Sequence, residues 1–406
     1  MKTNIGVFFG GRSTEHEISV ISASQAMAAI DRERFDVTPV YITKDGKWYT
    51  GEALLDTSNY RDVPALLKRC TQVYMRPCLG DYTLYRYNKP LFGSDKAAVL
   101  DVIIPVMHGH GGEDGSLQGV FETIGIPYAG CGILASANGM DKITMKQILQ
   151  ANDIPVVDYV WCTDREYFAD KPSIVGKVTD KLGFPVIVKP ADLGSSVGIS
   201  AAHDAAQLDA AITDAARYSS RIIIEHMVEH LQEINCSVLG ESDNYRTSVL
   251  EEPVKSGEFL SYTDKYGGGS GSKGAKGAQG TKSSGSMATS QRRVPADLPA
   301  DETERIRKLA GDTFRVLSCN GVSRVDVIVD RDTREIFVNE INTIPGSLSF
   351  YLWEASGITF TKLMEQLVAL ALKRSREAES KTLSFDQNIF AMGSLSGTKG
   401  AKGTKR

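Results

Sequence analysis

Near the C-terminal end, two neighbouring stretches alternate apolar and polar residues with a period of two. They cover 325–330 and 335–342 and are joined by a short polar turn at 331–334. The pattern predicts a β-hairpin. Side chains two apart on a strand share a face, so Arg324 and Asp326 point the same way, as do Glu340 and Asn342. Paired, the strands would set two carboxylates, one amide and one guanidinium on one surface. A solvated hairpin is the plainer reading, but such hairpins seldom run straight into an Asn-Thr-Ile-Pro-Gly turn, as this one does at 342–346.

Periodicity organises the rest of the chain. Residues 4–9 form an apolar strand ending in Gly10-Gly11. A helix follows, with Val20, Ala23, Met27 and Ile30 at helical spacing and Thr14 and Glu17 suiting a capping box at its start. Stretches 37–42 and 99–106 read as buried strands, the second running into HGHGGEDG, whereas 50–98 has no clear period. A helix at 142–152 opens a second unit, in which strand 184–189 leads into the glycine- and serine-bearing turn KPADLGSSVGIS. Strand 221–225 opens a third unit that holds a helix at 301–317 and the hairpin. In a last helix Phe360, Leu363, Met364, Leu367, Val368 and Ala371 make an apolar stripe. The expectation is an α/β chain of three units, 1–140, 141–220 and 221–385, with a flexible basic tail at 386–406.

Residues 267–291 and 393–406 share the string KGAKG, and their glycine, serine and lysine cannot bury a core. The first lies between strand and helix patterns, so it reads as a long loop inside the third unit. With its flanks, 261–293, it holds six Lys or Arg against one Asp, which suits a basic lid over phosphates. A tolerated surface insertion is the alternative for 270–286.

Composition narrows the function. A net charge of −4 argues against nucleic-acid binding, and no apolar run reaches membrane-spanning length. The start, MKTNIGVFFGG, lacks the long apolar region of a signal peptide. Six scattered cysteines without a C-x-x-C pair suggest reduced thiols in a cytoplasmic protein.

Several side chains suit a nucleotide. Lys189 ends an apolar strand, where an ammonium needs an anion, and Lys142 starts a helix after Gly-Met-Asp. The loop 194–198 offers backbone N–H groups to phosphate. Glu225 and Glu233 follow a buried strand, placed for adenine and ribose. Asp326, Glu340 and Asn342 supply the hard oxygens that magnesium accepts, with substrate phosphates completing its shell. A competing motif, His226-Met-Val-Glu229-His230, matches H-x-x-E-H of inverted zinc metallopeptidases, with Glu229 as base. Against it, the required helix is short, follows directly from a strand, and has no third ligand in view.

Together these motifs resemble the D-alanine–D-alanine ligase family of ATP-grasp enzymes, in order and over nearly the whole chain. They include FFGGRSTEHEIS, MHGHGGEDGSLQG, YAGCG with GMDK, KPADLGSSVGIS, SYTDKY, SRVDVIVD and NEINTIPGS. The resemblance implies a three-domain ATP-grasp fold: an N-terminal doubly wound α/β domain and two α+β domains clasping ATP, in a homodimer. It implies ATP-dependent joining of two D-alanines through an acyl phosphate, for peptidoglycan precursors. Lys142, Lys189, Ser196 and Lys265 would hold ATP phosphates, and Glu225 and Glu233 the nucleoside. Asp326, Glu340 and Asn342 would carry two magnesium ions, or manganese. Glu15 would accept the ammonium of the first D-alanine in a network with Ser195 and Tyr266. His108 would sit near that substrate, with Glu113 close by. Arg324 and the backbone N–H of Gly346 would form the oxyanion hole. A loop histidine and a core aromatic are the plain readings of His108 and Tyr266.

One position departs from the family pattern. Where a serine followed by leucine usually meets the second substrate's carboxylate, this chain has Tyr351-Leu352. D-serine and D-lactate therefore stay open as second substrates, and so does a non-catalytic nucleotide-binding regulator of the same fold.

Overall fold

A computed structural model describes residues 2–194, 197–253 and 292–384. Ser195, Ser196, Lys265, Tyr266, most of the basic 261–293 segment and the tail lie outside the described residues. Three sheets follow one another along the chain. The first has seven strands, in the order Lys96–Val99, Thr83–Arg86, Thr71–Tyr74, Trp48–Thr50, Phe35–Ile42, Thr3–Gly10 and Val102–Val106. Its last three strands are parallel. The other four, each three or four residues long, extend it antiparallel through the stretch that showed no period. So short a strand has too few alternations to register as a pattern. The strand expected at 99–106 is two strands, broken between Val99 and Val102.

The first helix, His16–Ala29, starts without the expected capping box, since its N-cap is Glu15 and no side chain caps it. Glu17 turns outward and pairs with Lys44 at 2.6 Å.

The second sheet runs Ser200–Ala202, Val186–Pro190, Arg221–His226, Tyr159–Thr163, all antiparallel. The strand expected to open the third unit is therefore interior to this sheet, and a boundary at 220/221 cuts through it. Ile222, Ile223 and Ile224 are all fully buried, which requires cover on both faces and pairing on both edges. After His226 the chain turns without forming a helix. His226 is exposed, and His230 Nδ1 bonds Asp332 at the surface at 2.6 Å. The zinc-peptidase reading fails here, because its two histidines have no common helix face.

The third sheet, Arg292–Arg293, Asn244–Pro253, Leu231–Glu241, Asn320–Asp330, Ile336–Asn342, is also antiparallel. Helices Lys142–Gln150 and Ala300–Val316 share its core, with Ile143, Leu149, Ile306 and Phe314 against Val325, Val327 and Ile341. The last helix, Phe360–Glu379, returns to the first sheet, where Leu363, Met364, Leu367 and Val368 join the core around Val102, Ile104 and Val106. Among the described residues no helix is long and apolar enough to cross a membrane.

Candidate active site

Register builds the site. The hairpin strands pair with Arg324 opposite Asn342 and Asp326 opposite Glu340, as the alternation predicts. The pairing then continues beyond the reach of any local pattern. Asp326 faces Asn235, and Asn235 faces Glu251. Directly opposed residues share a face, so Glu340, Asp326, Asn235 and Glu251 form one polar row across four strands. Arg324 donates from Nε and Nη2 to the two Asp326 oxygens at 2.6 and 2.7 Å. Asn342 Nδ2 donates to Asp326 Oδ2 at 3.1 Å. Burial opposes the guanidinium's charge, but Asp326 outweighs it and holds the Arg324 pKa above its usual value.

A helix supplies cations to one end of this row. Asp141 caps helix Lys142–Gln150 by accepting from the Thr144 N–H at 2.7 Å, and it also accepts from Arg221 Nε at 2.7 Å. Lys142 and Lys146, one turn apart, share a helix face. Lys142 Nζ lies 3.2 Å from Glu340 Oε2 and donates to the Leu193 carbonyl at 2.9 Å. Burial would lower its pKa, yet Glu340, with Glu225 and Glu15 behind it, makes the net shift upward. Lys189 Nζ donates to Glu225 Oε2 at 2.6 Å, and Lys146 Nζ stands 3.1 Å from Glu225 Oε1. Glu225 is thus gripped by two ammoniums. Burial alone would raise its pKa, but the lysines push it down to about 2. For the wholly buried Lys146, burial wins and the pKa falls. Lys146 escaped the sequence reading because a lysine in a mixed helix passes for solvated surface; its spacing from Lys142 was the available signal.

The opposite wall carries Glu15, which is buried between two glycines. A Cβ on Gly109 would stand 2.7 Å from Glu15 Oε2, and one on Gly194 would stand 3.0 Å away. Gly109 also has φ +72°, which side chains disfavour. Gly194 brings the glycine–serine turn up to Glu15. Glu113, also buried, accepts from the N–H groups of Gly109 and Ile344 at 2.8 and 2.9 Å. Burial, then the charge of Glu15, outweigh those donors and push its pKa up to about 8.

This shift has a measurable sign. The unfolded value is about 4.3, so the folded state holds an extra proton between about pH 4.3 and about pH 8. The stability tied to Glu113 is therefore greatest at low pH and falls as pH rises through that window. The melting temperature of the substrate-free protein, relative to Glu113→Ala, is expected to drop from about pH 5 to about pH 8. A constant difference would mean that the carboxyl is ionised throughout.

Three expected contact residues have protein partners. His108 Nδ1 donates to the Ile344 carbonyl at 2.9 Å, a tautomer set by that acceptor, and Nε2 accepts from the Ser22 hydroxyl at 2.9 Å. Burial lowers its pKa to about 4, which leaves it neutral. The Tyr351 hydroxyl donates to Glu251 Oε2 at 2.6 Å, and the Leu352 side chain is fully buried. Gly346 heads a short turn in which Ser347, Leu348 and Ser349 take left-handed φ of 49°, 54° and 51°. Ser22 steadies that turn by accepting from the Ser347 N–H at 3.0 Å. Glu233 lies two residues before Asn235 on the same strand face.

Three sheets, with buried lysines beside a carboxylate-bearing hairpin, define an ATP-grasp protein. Residues 4–131 match the family described as D-ala D-ala ligase N-terminus, and 148–369 match D-ala D-ala ligase C-terminus. The D-alanine--D-alanine ligase of Acetivibrio thermocellus is 39% identical over 385 residues, 92% of this chain and 96% of that protein. The solved D-alanine-D-alanine ligase from Coxiella burnetii superposes with a TM-score of 0.75 at 28% identity, covering 93% and 96% of the two chains. The VanG D-Ala:D-Ser ligase from Enterococcus faecalis superposes with a TM-score of 0.75 at 31% identity, covering 91% and 100%. The chain belongs to the D-alanine–D-alanine ligase family.

Proposed function

We propose that this protein uses ATP to join two D-alanines through an acyl phosphate, for peptidoglycan precursors. The observation that carries this reading is the polar row, with Arg324 on Asp326 at its centre and Lys142 on Glu340 at one end. A carboxylate is a poor acyl donor until phosphorylated, and phosphoryl transfer calls mainly for positioning and charge neutralisation. Lys142 and Lys189 would meet the phosphates, Glu225 and Glu233 the nucleoside, and Glu15 the ammonium of the first D-alanine. Arg324 and the Gly346 N–H would meet the negative charge that builds on the carbonyl oxygen. His108 acts at one remove, by tying the turn that holds Gly346. The roles of Ser195, Ser196, Lys265 and Tyr266 rest on sequence likeness.

Asp326, Glu340 and Asn342 fit magnesium, or manganese in its place, because they bring hard oxygens to one face. Among the described residues no group of three His, Cys, Asp or Glu could hold an ion alone. Two such ions, sharing their shells with phosphate oxygens, would neutralise charge on the transferring phosphate. Family likeness also supports a cytoplasmic homodimer acting on small molecules, apart from membranes and nucleic acid.

With ATP and magnesium, the purified protein is expected to release ADP and phosphate only when D-alanine is present, and to yield D-alanyl-D-alanine by mass. Phosphate release independent of any D-amino acid would sink the reading. The second reading, D-serine as acceptor, draws on the likeness to the D-Ala:D-Ser ligase. An equal mixture of D-alanine, D-serine and D-lactate decides between them by product mass.

A further inference from the structure

Asn235 stands between two carboxylates of the polar row, with Asp326 opposite on one side and Glu251 on the other. The residue is buried, at 4% exposure. Its Nδ2 faces Glu251 Oε2 at 3.4 Å. An ionised carboxylate only accepts, so this contact fixes which end of the amide is nitrogen and turns Oδ1 toward the Asp326 side. Among the described residues Oδ1 is buried and has no hydrogen-bond partner. Ser237, next along the same strand face, shows the contrast. Its hydroxyl donates to the Ser323 carbonyl and accepts from Trp353 Nε1, both at 2.9 Å. Asp326 cannot satisfy Oδ1, because its carboxylate has no hydrogen to give and is itself held by Arg324 and the Asn342 amide. Two acceptors thus stand side by side on the row, and a group with hydrogens to donate suits the place between them.

Resting on the ligase reading, we propose that Asn235 Oδ1 accepts an N–H of the amine on the second, acceptor amino acid and aims that amine at the carbonyl carbon. The row has a direction. Its Glu340 end carries Lys142, which suits phosphates, and Arg324 on Asp326 marks the middle, where carbonyl charge builds. The amine must approach the carbonyl carbon from a side that the departing phosphate does not fill. Asn235 lies on that side, one strand beyond Asp326 and away from Glu340. Phosphate and carbonyl oxygens accept hydrogen bonds, so an amide oxygen repels them, whereas an amine has hydrogens to offer. The first substrate's ammonium goes to Glu15 on the opposite wall and the ribose hydroxyls to Glu233, which leaves the acceptor's amine for Asn235. In the step itself the C–N bond forms while the C–O bond to phosphate breaks. Phosphate leaves with that electron pair, and the amine's surplus proton goes to it. An amide oxygen is too weak a base to take the proton, so Asn235 orients the amine's lone pair and nothing more. Glu251 is a positioning residue: it keeps the amide from turning over, and the Tyr351 hydroxyl holds it there at 2.6 Å.

Hydroxylamine separates handling of the acceptor from every earlier step. This small nucleophile, at high concentration, traps the acyl phosphate as D-alanine hydroxamate without needing the acceptor site. The ratio of hydroxamate to D-alanyl-D-alanine by mass then reads how well the acceptor amine is aimed. Asn235→Leu, close in shape but without the oxygen, is expected to raise this ratio about tenfold over the unchanged protein, the scale of one hydrogen bond. KM for ATP should stay in place. Asn235→Ala should give the same shift and serves if the leucine variant folds poorly. If Oδ1 serves the nucleotide, a metal ion or only the sheet, hydroxamate and dipeptide fall together while the ratio stays put, and that result overturns the proposal. Formation of D-alanyl-D-alanine by the unchanged protein in the same assay tests the ligase reading separately.

Discussion

Arg324→Met is expected to lower kcat about a hundred- to a thousandfold, the usual loss when one donor to a developing oxyanion is removed. KM for ATP should move little, because the lysines proposed to meet the nucleotide belong to other elements. The same change also strands Asp326, which is buried and, among the described residues, keeps the Asn342 amide as its side-chain donor. Removing one partner of a buried pair costs about 3–5 kcal/mol. Arg324→Met combined with Asp326→Asn removes that unpaired charge, so it should recover part of the stability and none of the turnover. Steady-state kinetics and thermal melts on the two variants separate these effects. Near-normal kcat in Arg324→Met would remove this arginine from the reacting centre.

Glu225→Ala should destabilise the fold most among single changes at the proposed nucleotide end. It leaves Lys146, with no exposed side-chain surface, and Lys189 facing each other without their shared anion. A loss of about 3–5 kcal/mol is expected, or on the order of 10 °C in melting temperature. The pH dependence follows from the lowered Glu225 pKa of about 2. Its stabilising effect is present above the unfolded value of about 4.3 and is lost as pH falls toward the folded one. The gap between the protein and Glu225→Ala should therefore hold down to about pH 4 and narrow below it. Lys146→Met should be milder for stability, since Glu225 keeps Lys189. It should raise KM for ATP, because Lys189 can then leave Glu225 for a phosphate only by stranding a buried carboxylate. A gap in melting temperature already closed at neutral pH would show that the triad is not ionised as described.

The hairpin was legible because its strands are adjacent in sequence. A short turn leaves little choice of register, and register decides which side chains meet. Asn235 and Glu251 were not legible as site residues. They reach Asp326 only through pairing between distant strands, and their neighbours read as ordinary buried sheet. The zinc motif misled for a related reason: five residues suggest a helix face, but the chain there is leaving a strand. Strand Arg221–His226 read as a beginning in the sequence, whereas its pairing on both edges makes it interior to the second sheet. Tyr351 was noticed as a departure, yet the destination of its hydroxyl depends on Glu251, a partner supplied by the fold.

The last helix, Phe360–Glu379, shares with the first helix the cover of one apolar face of a sheet whose strands are complete by Val106. A ribosome makes that sheet and its first helix well before the last one. At about 5–20 residues per second, the open face waits on the order of tens of seconds for its partner. The newborn chain carries a sticky surface through most of its synthesis, and chaperones can hold it there. A stop codon ahead of the final helix would thus injure a part of the protein made long before it, leaving the finished hairpin and its carboxylates attached to a half-covered sheet.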